Sequence, residues 1–177
     1  DMGQDDTKHN LLFISKYPEI IHEFTDAMKD RDIEIETAIN GIEAAAKIKK
    51  KNYDIVITGL SLEGYNGEQI ITYLNKTAPS TVCIIYTTTI SSAQLHFFIN
   101  ERNVFRVFLR PVDFRGAFWE ALEEAYEYHA VQVKNEEDTG ARRQEQEKQE
   151  REIEIMDQRM RSQRQARETT NRYMKRL

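Results

Sequence analysis

The chain has 177 residues, 40% of them hydrophobic, with seven glycines, three prolines and a net charge of -5 at pH 7. That size holds one ordinary domain plus an appendage, and the composition excludes a collagen-like or proline-rich chain. No apolar run approaches the roughly 18 residues that cross a bilayer, the start Asp1-Met2-Gly3-Gln4-Asp5-Asp6 is not a secretory signal, and a single cysteine, Cys83, cannot close an internal disulfide.

Residues 1–9 read as a polar tail. From residue 10 to 133, strand-like apolar runs alternate with helical periods, the pattern of a parallel sheet wrapped by helices. Leu11-Leu12-Phe13-Ile14 is continuously apolar, as a strand buried on both faces must be. A helix follows, with Ile20, Phe24, Ala27 and Met28 on one face. Ile33-Glu34-Ile35-Glu36-Thr37 alternates, which predicts a half-exposed edge strand. The second helix carries Ala45, Ala46 and Ile48, the third strand is Ile55-Val56-Ile57, and Ile70, Ile71 and Leu74 mark the third helix. In the fourth strand, Val82-Cys83-Ile84-Ile85-Tyr86, the cysteine is expected to be a buried, inert thiol, which suits a reducing cytoplasm. Leu95, Phe98 and Ile99 mark the fourth helix and Phe105-Arg106-Val107-Phe108-Leu109 the fifth strand. Asp113 is the expected N-cap of a fifth helix that buries Phe118, Leu122, Ala125 and Val131. Five such repeats predict a flavodoxin-like, doubly wound, five-stranded parallel sheet of order 2-1-3-4-5. Its working site should lie just after Ile14, Ile57, Tyr86 and Leu109, at the carboxyl ends of the strands.

Residues 134–141 are a linker or a continuation of that helix, and residues 142–177 change character, with eleven Lys and Arg against seven Asp and Glu. The first 141 residues hold 14 against 23, so an acidic head is joined to a basic tail. A 3-4 spacing picks out Ile153, Met156, Met160, Gln163, Arg167, Thr170, Met174 and Leu177, apolar at five of eight positions. That seam predicts a coiled coil with a polar middle, and with it a homodimer. A solvated single helix or a disordered tail is the plain alternative, because the seam is dilute.

Residues 53–67, Tyr53-Asp54-Ile55-Val56-Ile57-Thr58-Gly59-Leu60-Ser61-Leu62-Glu63-Gly64-Tyr65-Asn66-Gly67, resemble the third strand and following loop of response-regulator receiver domains. Asn40-Gly41-Ile42-Glu43-Ala44-Ala45 resembles the start of that family's second helix, and Phe108-Leu109-Arg110-Pro111 the end of its fifth strand, where Lys-Pro is usual. The resemblance spans residues 10–131. It implies two acidic residues after the first strand for Mg²⁺, an acceptor Asp after the third, a Thr or Ser after the fourth and a Lys after the fifth. At these places the chain has Ser15 and Lys16, then Gly59, Thr87 (with Thr88 as the competing register) and Arg110. Mg²⁺ needs oxygen ligands that Lys16 does not supply. A glycine carries no carboxylate to phosphorylate, and a guanidinium fork is no substitute for a mobile ammonium. Asp54 stands at the wrong end of the third strand, whereas Glu63 and Asn66 lie where they could approach the pocket. A phosphorylation pocket without its chemistry is therefore expected, with no metal, no cofactor and no enzymatic activity. Lys16 and Arg110 are expected either to be solvated at its rim or, with Ser15, to bind an anion.

His9, His22, His96 and His129 show no metal-ligand spacing, and His22 and His96 are expected to be surface or packing residues. No Gly-rich phosphate loop, flavin loop or nucleophile elbow is present. Phe97, Phe98, Val104, Phe105, Phe108, Phe114, Phe118 and Trp119 crowd the last third of the head. Most should be core and two or three should be left for a partner, and at least one of Tyr126 and Tyr128, on opposite sides of their helix, should be exposed or covered by a partner. The tail arginines raise nucleic-acid binding, but interspersed acids and the absence of an aromatic platform weigh against it. The expectation is a cytoplasmic, non-phosphorylatable receiver, a protein-protein interaction and dimerisation module in signal transduction. It would form the regulatory front of a longer protein and meet an as yet unidentified signalling protein or output domain. Relocated catalytic chemistry and a nucleic-acid-binding tail are the rival readings.

Overall fold

The computed structural model describes residues 9–176, so most of the polar N-terminal tail and the last seam position, Leu177, lie outside the described residues. Two compact units divide the chain, one closing at Val133 and a second running from Lys134 onward.

The first unit alternates β1 (His9–Ile14), α1 (Pro18–Met28), β2 (Ile33–Ala38), α2 (Gly41–Lys50), β3 (Ile55–Thr58), α3 (Gly67–Thr77), β4 (Val82–Thr87), α4 (Ser92–Asn100) and β5 (Val104–Leu109), and it takes in the first part of α5 (Ala117–Arg176). The strands pair in parallel in the order β2-β1-β3-β4-β5, the predicted flavodoxin-like topology. Successive strand residues point to opposite faces, so each central strand feeds two cores. Leu11, Phe13, Ile55, Ile57 and Ile84 pack under α1 and α5 with Phe24 and Phe118, while Leu12, Ile14, Val56, Cys83 and Ile85 pack under α2, α3 and α4 with Ile71, Leu74 and Phe98. Phe13 stacks on Phe24 at 4.2 Å, and Phe114 meets Phe24 edge-on at 5.2 Å. The helices start where local chemistry tells them to. Pro18 opens α1, Asn40 accepts the Glu43 amide, and Asn66 with Gln69 and Ser91 with Gln94 form reciprocal capping boxes.

Edge strand β2 is half-exposed, as its alternation predicts. In α2 the core positions are Gly41, Ala44 and Ile48 rather than Ala45 and Ala46, because the true period of four brings Ala44 under Ile48. Gly41 is there for closeness, since a Cβ on it would collide with the Tyr65 carbonyl oxygen. Only Phe98 of α4 is buried; Leu95 and Ile99 are exposed, because this nine-residue helix has no neighbour covering its outer faces. Asp113 is not the N-cap of α5. Its carboxylate accepts the Arg115 amide in a turn that precedes the first helical residue, Ala117. Val131 is exposed, because α5 has already passed the amino ends of the strands by His129, which meets Ser80 and Asp54. Both aromatic surplus positions on α5 are covered: Tyr126 is buried and the Tyr128 ring lies 5.1 Å from that of Phe105.

In the second unit, every described residue is helical and all but Gly140 are exposed, including Ile153, Met156, Met160 and Met174. Among the described residues no helix is long and apolar enough to cross a membrane.

Candidate functional site

At the carboxyl edge of the sheet, the ends of β1, β3, β4 and β5 bring Ser15, Lys16, Gly59, Thr87 and Arg110 around one small cavity of about 40 Å³. Tyr17, Leu60, Ser61, Tyr86 and Thr88 complete its lining, which contains no carboxylate. Backbone bonds fix the walls. The Gly59 amide donates to the Ile14 carbonyl at 3.0 Å, the Ser15 amide to Ala38 at 3.1 Å and the Arg110 amide to Thr87 at 2.8 Å. Ser15 is buried, and its Oγ accepts the Tyr17 amide at 3.2 Å.

The two cations are engaged with neighbours. The Lys16 ammonium donates to Ser61 Oγ at 3.3 Å, and the Arg110 guanidinium lies over the Tyr17 ring at 4.6 Å and 5.9 Å from the Tyr86 ring. Burial raises the Tyr86 phenol above its ordinary range, against the pull of the Arg110 charge. The Thr87 hydroxyl donates to the Thr89 carbonyl at 3.3 Å. A Cβ built on Gly59 would lie 3.7 Å from the Tyr86 carbonyl oxygen and 3.9 Å from that of Ile14, ordinary contact distances, so a side chain fits there. Glu63 and Asn66 do not join the pocket. Glu63 gives its carbonyl to Gly41 and keeps its side chain exposed, and Asn66 is the cap of α3.

A second constellation, at the opposite edge, was not foreseen as a group. Asp54, just before β3, accepts the Asn10 amide at 3.1 Å, faces His129 Nε2 at 3.1 Å and has His9 Nδ1 at 3.8 Å. The other ring nitrogen of His129 lies 2.8 Å from the Ser80 carbonyl. Tyr126 donates to the Asn10 carbonyl at 2.9 Å and packs on the His9 ring at 4.3 Å. Burial alone would raise the Asp54 carboxyl; the His129 bond, the Asn10 amide and the charges of His129 and His9 outweigh it and hold it below the usual carboxylate range. Nothing in local spacing announces this group, because its members come from four separate segments. His22 and His96 are exposed, as expected.

A family model described as Response regulator receiver domain matches residues 12–116. The fold is similar to the signal receiver domain of an HD domain-containing protein from Pseudomonas fluorescens Pf-5, at 19% identity and a TM-score of 0.66 over 70% of this chain and 98% of that one. It is similar to a CheY-like response regulator receiver domain protein from Methanospirillum hungatei JF-1, at 18% identity and 0.64 over 71% and 99%. It is also similar to an adenylate cyclase structure from Rhodopirellula baltica, at 19% identity and 0.67 over 73% and 96%. At such identities the likeness speaks for the fold alone. Among curated proteins nothing matches.

Proposed function

The chain belongs to the response-regulator receiver family, a family of signal transduction, and on that premise we propose that it is a receiver that takes up no phosphate and signals by contact as a dimerising module. One observation carries the reading: Gly59 stands at the end of β3, in the cavity where a phosphate acceptor would have to stand. The contact distances around it leave room for a side chain, so what is missing is the nucleophile and not the space. Around that position, Lys16 takes the place of a hard-cation ligand, and Arg110 is held on Tyr17. A cavity of about 40 Å³ has room for little more than one water. On this reading the pocket is a scaffold whose walls are fixed by backbone hydrogen bonds.

The tail supplies the contact. Two copies of the exposed seam Ile153, Met156, Met160 and Met174 would cover one another in a parallel coiled coil. The polar layers Gln163, Arg167 and Thr170 would keep the pair weak in its middle, so that geometry at the heads is passed on along the helices.

Two measurements test the reading. The full chain is incubated with acetyl phosphate and Mg²⁺; no acid-labile label is expected, and stoichiometric labelling would sink the first half. Solution mass is compared with and without residues 142–177. A dimer that becomes a monomer on truncation is expected, and a monomeric full chain at high concentration would sink the second half.

A further inference from the structure

A cavity of about 590 Å³ lies between α2 and α3, lined by none of the residues of the strand-end pocket. It exists because α2 turns the small Ala45 toward α3, while α3 sets Tyr73 and Lys76 along the opposite wall. Lys49, one turn after Ala45, and Arg102, from the turn before β5, close the trough, so three cations surround it against one carboxylate, Glu68. Among the described residues neither Lys49 nor Lys76 takes part in an ion pair, whereas Lys29, Lys47, Lys51, Arg106 and Arg115 all do. Arg102 is held in place from two sides: its Nε donates to Thr72 Oγ1 at 3.1 Å and its guanidinium lies 4.7 Å over the Phe97 ring. Concentrated positive charge is out of keeping with a head that carries 23 acids against 14 bases.

Apolar surface accompanies the charge. Tyr73 is 40% exposed, Tyr65 49% and Ile42, beside them on α2, 64%. The loop that presents Tyr65 is locked onto α2: the Gly41 amide donates to Glu63 at 2.9 Å, and Gly64 takes φ +78° directly against the Ile42 side chain. That left-handed conformation is one that glycine adopts without strain. Tyrosine and arginine in a preformed hollow, bordered by unpaired lysines, is the composition of an interface centre and not of an ordinary solvated face.

We propose that the trough between α2 and α3 is a docking site for an acidic, amphipathic peptide segment of a partner protein, with apolar anchors set against Tyr65, Tyr73 and Ile42 and carboxylates facing Lys49, Lys76 and Arg102. The proposal rests on the interaction-module half of the reading above and is independent of the coiled coil. The charge excess selects the occupant: the carboxylates of a peptide would pair the lysines that this chain leaves without a partner, and a segment of basic peptide would be repelled.

The test uses the full chain as bait for randomised short peptides at low salt. The expected peptides combine Asp or Glu with Phe, Leu or Trp anchors, and a synthesised representative shifts the amides of Tyr65, Tyr73 and Arg102. The pair Lys49→Glu with Lys76→Glu should weaken its binding by about tenfold or more, and Tyr73→Ala by roughly tenfold, with the remaining amide spectrum unchanged. No enrichment, a basic or uncharged consensus, shifts centred elsewhere, or affinity indifferent to charge reversal overturns the proposal. So does ATP binding alone to the same amides with equal affinity, which would make the trough a nucleotide site. A charge-reversed chain with altered solution mass would make the occupant a second copy and overturn it as well. If peptide binding fails while the full chain remains a dimer, this proposal falls and the dimerisation reading stands.

Discussion

Replacing His129 with leucine tests the clamp at the amino edge of the sheet. The change keeps the side chain's bulk but removes both ring nitrogens, leaving Asp54 with the Asn10 amide and a His9 nitrogen at 3.8 Å. Its contacts to the Ser80 carbonyl and to the half-buried Asp54 carboxylate are lost. Bonds to charged groups contribute about 1.5–3 kcal/mol and neutral ones about 1 kcal/mol, so the expected loss is roughly 2–3 kcal/mol, partly relieved by water at the rim. For a domain of this size that is a fall in Tm of roughly 6–12 °C. Trp119 is the only tryptophan and lies under the Arg31 guanidinium at 4.2 Å, so its fluorescence in urea reports the first unit alone. The sign of the pH dependence follows from Asp54, whose folded carboxyl titrates below its unfolded value. Its contribution is complete above the unfolded value near about 4 and disappears as pH falls through the lower folded one. Wild type and variant should therefore differ fully at pH 6, and the difference should shrink as the pH is taken below about 4. A difference at pH 6 below about 0.5 kcal/mol, the ordinary scatter of surface substitutions, or one that does not shrink on acidification, would refute the reasoning.

Gly59→Asp alone should leave acetyl phosphate labelling absent, because Lys16 still excludes Mg²⁺, whereas adding Ser15→Asp and Lys16→Asp should produce Mg²⁺-dependent label; label on the single variant would show that the acidic pair is not what the pocket lacks. Cys83 is fully buried and its thiol is pushed up to about 12, so a thiol reagent at pH 8 should react only after urea unfolding. Reaction in the native chain would place that strand nearer solvent than the fold allows. In a parallel coil the seam of residues 153–177 sets Glu145 against Glu150, Glu152 against Asp157 and Arg159 against Arg164 across the pair. Like charges at such spacing cost a few tenths of a kcal/mol each, so added salt should strengthen the dimer, and sedimentation showing that salt weakens it would exclude that arrangement.

Architecture was legible because it is written in local periods. The runs at β1, β3 and β4 are apolar throughout and the run at β2 alternates, which placed β2 at the edge before any pairing was known. The pocket could be assembled for the same reason: its members are simply the residues that follow the strands, and a parallel sheet brings such residues together. Where the sequence misled, amphipathic patterns outran tertiary packing. Leu95 and Ile99 have the right spacing for a core face, yet α4 has only one layer beneath it, and Val131 keeps the period of α5 beyond the end of the sheet. The Asp54 group was illegible in principle, since Asn10, Asp54, Ser80 and His129 share neither a motif nor a helix face, and only the fold makes them neighbours.

The two edges of the sheet are held together in different ways. Long-range polar contacts concentrate at the amino edge: Asn10 exchanges bonds with Asp54 and donates to the Asn52 carbonyl, Thr81 donates to the Tyr53 carbonyl at 2.7 Å, and Tyr126 and His129 tie α5 to the same corner. At the carboxyl edge, the walls are held by backbone bonds that do not depend on side-chain identity. Gly59 can therefore replace a carboxylate there without leaving a buried polar group unpaired, and among the described residues none is. Arg110, laid on Tyr17, and Lys16, on Ser61, are satisfied locally. The carboxyl edge is thus held by its backbone, while exposed apolar and cationic side chains stand on the tail at Ile153, Met156, Met160 and Met174 and in the trough between α2 and α3.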